Sequence, residues 1–170
     1  VTNNVSCSAD GALYCSQRFL GQSTKQISNA PFRTLFLPAQ VNQIAWSADD
    51  KLLAVATHSD LYLCQTSVET KPRLLIEGHL KSIVFNSTGT LLATGGRDHK
   101  VYIMELETGE IVELSGHTKT IYSVCFSLDG RILASGSDSV EDIEQKKEIG
   151  NLPLETHVAY SLAFRPDGEV

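Results

Sequence analysis

The sequence predicts an all-β chain assembled from four-stranded antiparallel units, and two observations carry that prediction. The first is a phrase that recurs five times: Val5-Ser6-Cys7-Ser8-Ala9-Asp10-Gly11, Ile44-Ala45-Trp46-Ser47-Ala48-Asp49-Asp50, Ile83-Val84-Phe85-Asn86-Ser87-Thr88-Gly89, Val124-Cys125-Phe126-Ser127-Leu128-Asp129-Gly130 and Leu162-Ala163-Phe164-Arg165-Pro166-Asp167-Gly168. The residue before the last in each phrase marks positions 10, 49, 88, 129 and 167, at intervals of 39, 39, 41 and 38 residues. Periods of that size belong to arrays of stacked supersecondary units. The second is the near absence of helical periodicity, with short apolar runs separated by polar turn residues instead.

Each phrase opens a unit with an apolar stretch, read as its first strand, and closes on Asp-Gly or a relative, whose tolerance of positive φ suits a hairpin turn. Second strands follow at Leu52-Leu53-Ala54-Val55-Ala56, Leu91-Leu92-Ala93-Thr94-Gly95 and Ile132-Leu133-Ala134-Ser135-Gly136. Their small central residues are what close packing of sheet on sheet requires, so these strands are predicted to be buried. Third strands alternate, at Asp60-Leu61-Tyr62-Leu63-Cys64-Gln65 and Lys100-Val101-Tyr102-Ile103-Met104-Glu105, with one face in a core and one more exposed. The polar turn Thr108-Gly109-Glu110 leads to Ile111-Val112-Glu113-Leu114, an outermost edge strand whose charge discourages stray pairing. The stretch from Val140 to Ile149 lacks a good helix cap and reads as an irregular, solvated excursion.

Composition narrows the function classes. The chain has 170 residues, 42% hydrophobic and 20% charged, with a formal charge of −6, enough apolar material for a core and an acidic balance that argues against nucleic acid or an anionic membrane as partner. No apolar run is long enough to span a bilayer, and the first residues do not resemble a signal peptide, so a soluble, intracellular chain in cytoplasm or nucleus is expected. Cys7, Cys15, Cys64 and Cys125 stand at apolar positions with no zinc spacing, which favours free buried thiols over a Cys7–Cys15 bridge. The sequons at Asn4 and Asn86 carry little weight.

Four short antiparallel strands per unit of about 40 residues form the signature of a β-propeller blade. The residues then carry a more specific likeness. Gly78-His79 and Gly116-His117, the Ser127-Leu128-Asp129-Gly130 turn, Leu92-Ala93-Thr94-Gly95-Gly96 and Leu133-Ala134-Ser135-Gly136-Ser137, and Asp98 ahead of Val101-Tyr102-Ile103-Met104-Glu105 resemble WD-repeat blades over nearly the whole chain, residues 1–170. The resemblance is most specific from Gly116 to Ser137. It implies a hydrogen-bonded network inside each blade, matched by His79, Thr94 and Asp98 in one unit and by His117, Ser135 and Asp138 in the next. The departures are Met104-Glu105 and Cys64-Gln65 where the family closes with Trp-Asp, and Gly78-His79 lies six residues before Phe85 whereas Gly116-His117 lies nine before Phe126.

The same resemblance places partner contacts soon after the Gly-His and just before the Asp of the second turn, which points to Lys81, Arg97, Thr120 and Tyr122. Tyr and Arg are the side chains most enriched at interaction hot spots. Catalysis is not expected: Ser, His and Asp recur once per repeat, as a structural role would have them, and no Gly-x-Ser-x-Gly elbow occurs. Gly95-Gly96-Arg97-Asp98 joins two strands and opens no helix for a phosphate. The five histidines show no ligand spacing, so no metal and no cofactor are assigned. Trp46 takes the place of Phe85, Phe126 and Phe164 and reads as core, and Met104 as core filler.

The reading is a non-enzymatic scaffold or adaptor that binds other proteins in a multi-subunit complex. A recruitment module of a larger enzyme or ubiquitin-ligase receptor is the alternative. A phosphoinositide-binding propeller is a third reading, which neither a paired-arginine motif nor a basic cluster in the sequence supports. Four periods are fewer than this family usually closes with, so a partner chain or further blades are expected to complete the ring.

Overall fold

In a computed structural model of the chain, the described residues are 5–7, 13–15, 37, 39–66, 71–137 and 158–165. Strands β1 (Val5–Cys7) and β2 (Leu13–Cys15) pair antiparallel. Strands β3 (Val41–Trp46), β4 (Leu52–Thr57), β5 (Asp60–Gln65) and β6 (Arg73–Glu77) form one four-stranded antiparallel sheet in sequence order. A second follows from β7 (Leu80–Phe85), β8 (Leu91–Gly96), β9 (Lys100–Glu105) and β10 (Ile111–Ser115), and β11 (Ile121–Phe126) pairs β12 (Leu133–Ser137). These are propeller blades, and the third strands run as their alternation predicts. No helix occurs among the described residues, hence none long and apolar enough to cross a membrane. The Val140 to Ile149 stretch, Asp138 and the side chains of Cys7 and Cys15 lie outside the described residues.

The hairpins between first and second strands share one design. Ser47 Oγ donates to Asp49 Oδ1 at 2.7 Å and accepts from Leu52 N at 2.9 Å, while Lys51 N donates to Asp49 Oδ1 at 3.2 Å. Two units further on, Ser127, Asp129, Arg131 and Ile132 repeat the arrangement. In the middle unit Asn86 takes over, its Oδ1 accepting from Thr90 N and Leu91 N at 2.9 Å each. Asn86 is buried by this turn, so the sequon there serves the fold. The residue that closes each turn has positive φ: Asp50 at 57°, Gly89 at 71° and Gly130 at 69°.

The core lies between the sheets. Ala54, Ala56 and Leu61 of the first blade meet Leu80, Ile83, Phe85 and Leu92 of the second, and Ala93 and Val101 meet Ile121, Val124 and Leu133 of the third. Trp46 packs with Leu37, Ile44, Leu53, Val55 and Cys64 on the far face of the first blade. Each fully buried leucine or isoleucine here contributes about 1.5–3 kcal/mol relative to exposure. Close approach explains the small residues of the second strands: a Cβ at Gly95 would stand 2.7 Å from Ile121 Cγ2, and one at Gly136 would stand 2.8 Å from Ala159 Cβ.

The first strands of successive blades, β3, β7 and β11, lie against one another in turn. A side chain on each accepts a backbone amide from the next. Gln43 Oε1 accepts from Ile83 N at 2.8 Å, Ser82 Oγ from Val124 N at 3.1 Å, and Ser123 Oγ from Leu162 N at 2.9 Å. The segment at 158–165 thus takes the place of a fourth first strand.

Candidate functional site

Next to each of these acceptors the ladder slips by one residue. Val41 pairs Thr57 while Gln43 pairs Ala56; Leu80 pairs Gly96 while Ser82 pairs Gly95; Ile121 pairs Ser137 while Ser123 pairs Gly136. Asn42, Lys81 and Tyr122 are the extra residues. A bulge of this kind releases a side chain from the ladder and re-aims it. The three fall seven residues before the marks at 49, 88 and 129, and Tyr160 falls seven before 167. A row of equivalent positions therefore crosses the blades at one end of the first strands.

Lys81 and Tyr122 were named by the sequence; Asn42 and Tyr160 were not, although the phase of the repeat marks them. Asn42 Nδ2 donates to Leu80 O at 2.6 Å and to Thr57 O at 3.2 Å, tying the first blade to the second. The rings of Tyr122 and Tyr160 meet edge to face, with centroids 5.2 Å apart. Tyr160 is 69% exposed, an aromatic surface of the sort that anchors partner chains. Thr120 lies at the same end, its carbonyl accepting from Ser137 Oγ at 2.9 Å.

Arg97 occupies the turn after β8, exposed, its amide donating to His79 O at 2.9 Å. That bond holds the β8–β9 turn beside the start of β7 and so beside Lys81. Gly96 is required there, because a Cβ would run into the His79 carbonyl oxygen. His58, in the β4–β5 turn, packs edge to face on His79 with centroids 4.9 Å apart. Burial, and then the positive charges of His79, Lys81 and Arg97, push the His58 imidazole below its ordinary pKa.

The implied blade networks divide. In the third blade His117 Nε2 lies 2.8 Å from Ser135 Oγ, and burial, followed by the charge of His99, lowers the His117 pKa. In the second blade the structure does not bring His79 to Thr94. Thr94 Oγ1 donates to Ser82 O at 2.9 Å, and Asp98 Oδ2 accepts from Tyr102 OH at 2.6 Å. The loop explains this: β7 begins at Leu80, directly after His79, whereas four residues separate Gly116 from Ile121. With no slack to fold back over β8, His79 stays exposed and turns to His58.

Ser135 meets His117 in a part-buried contact of the third blade. Cys64 is buried, and burial pushes the half-buried Cys125 thiol up, away from reactivity. Among the described residues no three His, Cys, Asp or Glu side chains are grouped so as to hold a metal.

Residues 70–104 and 109–140 match the family model described as "WD domain, G-beta repeat". The chain is 37% identical over 105 residues to "WD repeat-containing protein SL1-17" of Schistosoma mansoni, covering 59% of this chain and 35% of that protein. It is 31% identical over 101 residues to "B-type cell cycle switch protein ccs52A" of Medicago truncatula, covering 58% of this chain and 21% of that protein. Among solved structures, the RRP9 WD40 repeats superpose with a TM-score of 0.55 at 17% identity, over 61% of this chain and 34% of that one, a likeness of fold. The chain thus spans about a third or less of the length of these relatives.

Proposed function

From the premise that this chain belongs to the WD-repeat family, whose members typically mediate protein–protein contacts, we propose that it is a non-enzymatic scaffold or adaptor inside the cell, binding other proteins in a multi-subunit complex. Residues 1–170 are read as one propeller segment. The observation that carries this is the bulge row: three consecutive blades release a side chain at the same position and the same end, beside Arg97 and Thr120 and the paired rings of Tyr122 and Tyr160. A rigid frame with recognition residues at strand ends is how repeat arrays bind partners.

The test is affinity capture from cells with the wild-type chain and a Tyr122→Ala, Arg97→Ala double variant. Both side chains lie outside the buried core, so the variant is expected to keep its melting temperature within a degree or two and to lose its partners. An unchanged set of captured proteins removes this surface from the reading.

A further inference from the structure

The sequence has no basic run, yet the fold assembles a cationic cluster from three turns. His58 comes from the β4–β5 turn, His79 and Lys81 from the start of β7, and Arg97 from the β8–β9 turn. They are brought together by the His58–His79 ring contact and the bond from Arg97 N to His79 O. Three ion pairs form among the described residues: Lys51–Asp49, Lys100–Glu113 and Arg131–Asp129. Two of them neutralise the hairpin turns at the opposite end of the strands, and none includes Lys81 or Arg97. Two carboxylates near the cluster, those of Asp60 and Asp98, are hydrogen-bonded to neighbouring hydroxyls. Asp60 Oδ2 accepts from Ser59 Oγ and Tyr62 OH, Asp98 Oδ2 accepts from Tyr102 OH, and Glu77 acts on Tyr62 from β6.

We propose that His58, His79, Lys81 and Arg97 receive a carboxylate-rich peptide segment of the partner, and that mild acidification tightens this contact. The inference rests on the reading of the bulge row as the partner-facing surface, which it deepens by giving the partner a chemistry. Lys81 belongs to both row and cluster, so a peptide laid along the row toward Tyr122 and Tyr160 passes over these cations. An anionic membrane fits less well: such an extended surface faces the whole chain, which carries −6, whereas a peptide meets the local cluster alone. Burial and then its cationic neighbours lower the His58 pKa below its ordinary value. A bound carboxylate offsets both effects, so binding takes up a proton and strengthens as pH falls toward 6.

The probe is a fluorescein-labelled peptide alternating Glu and Ser, with its Gln and Ser counterpart, titrated by anisotropy against the full chain at pH 7.5 and 5.8. The Glu peptide is expected to bind about three- to tenfold tighter at pH 5.8, and the Gln peptide not to bind. Lys81→Gln with Arg97→Gln should weaken binding at both pH values; His58→Gln with His79→Gln should abolish the gain between pH 7.5 and 5.8, whatever it does to the pH 7.5 affinity. Loss of binding in 0.5 M salt gives the same reading on the wild-type chain if a variant fails to melt cooperatively. Equal binding of the Gln peptide, affinity flat with pH, or tighter retention by phosphatidylserine vesicles than by the peptide overturns the proposal. Partners lost in the Tyr122→Ala, Arg97→Ala variant without any Glu-peptide binding leave the scaffold reading standing and remove this inference alone.

Discussion

Gly96 and Gly109 show how the surroundings of one residue decide the cost of a single methyl group. A Cβ at Gly96 collides with the backbone oxygen of His79, which cannot move without displacing β7, whereas Gly109 has φ of 75° and open space around it. Gly96→Ala is expected to cost about 2–4 kcal/mol and Gly109→Ala about 1 kcal/mol in urea denaturation, the first from collision and the second from backbone strain alone. Ser135→Ala leaves the part-buried His117 ring without its 2.8 Å partner and should cost about 1–3 kcal/mol. Residue types at these positions were legible in the sequence, down to Thr94 and Ser135 standing in register. Which partner each takes was not. The six- and nine-residue spacings are visible in the sequence, but the consequence, His79 turned to His58 and Thr94 to Ser82, follows only from where β7 starts.

At the scale of the strand, the hydrogen bonds from blade to blade have a measurable worth. Ser82→Ala removes the acceptor of Val124 N, a backbone group in the interior, and Ser123→Ala does the same to Leu162 N. Each is expected to cost about 1–3 kcal/mol, and Ser82→Ala to speed amide exchange at Val124 in particular. If exchange there is unchanged while stability falls, the loss lies in the turn or the ladder and not between blades. The second and third strands and the outer strand β10 were read within a residue or two, because Asp-Gly turns and small-residue runs report turn geometry and burial directly, whereas the first strands β3, β7 and β11 begin three residues ahead of the recurring phrases and β6 was not read. The bulges escaped because one extra residue leaves the apolar pattern of a six-residue strand intact. Their trace is the phase of the repeat, seven residues before each mark, which becomes meaningful once the slipped register is seen.

For the molecule as a whole, pH acts in one direction. His58 and His117 have folded pKa values below their ordinary ones, so the unfolded chain binds the extra protons. Their contribution is present above about pH 6.5 and is lost as pH falls through that value toward the folded pKa. The Ser47 hydroxyl, helped by Lys51, holds Asp49 at about 2, and the Ser127 hydroxyl lowers Asp129; what they contribute is present above the ordinary carboxylate range and lost below it. The melting temperature is expected to fall from pH 7.5 to 5.5 and again below pH 4. The first fall should be smaller in His117→Gln, and an equal fall in that variant removes His117 as a contributor. The fold class was legible in the sequence because repetition multiplies a weak signal, whereas the cationic cluster was not, since its members come from three separate turns. One consequence concerns the order of manufacture. Gln43, Ser82 and Ser123 each belong to the earlier unit, and the amides of Ile83, Val124 and Leu162 to the later one. A chain leaving the ribosome from its N-terminus therefore sets out each acceptor before its donor has been synthesised. Every finished blade is the template on which the next one closes.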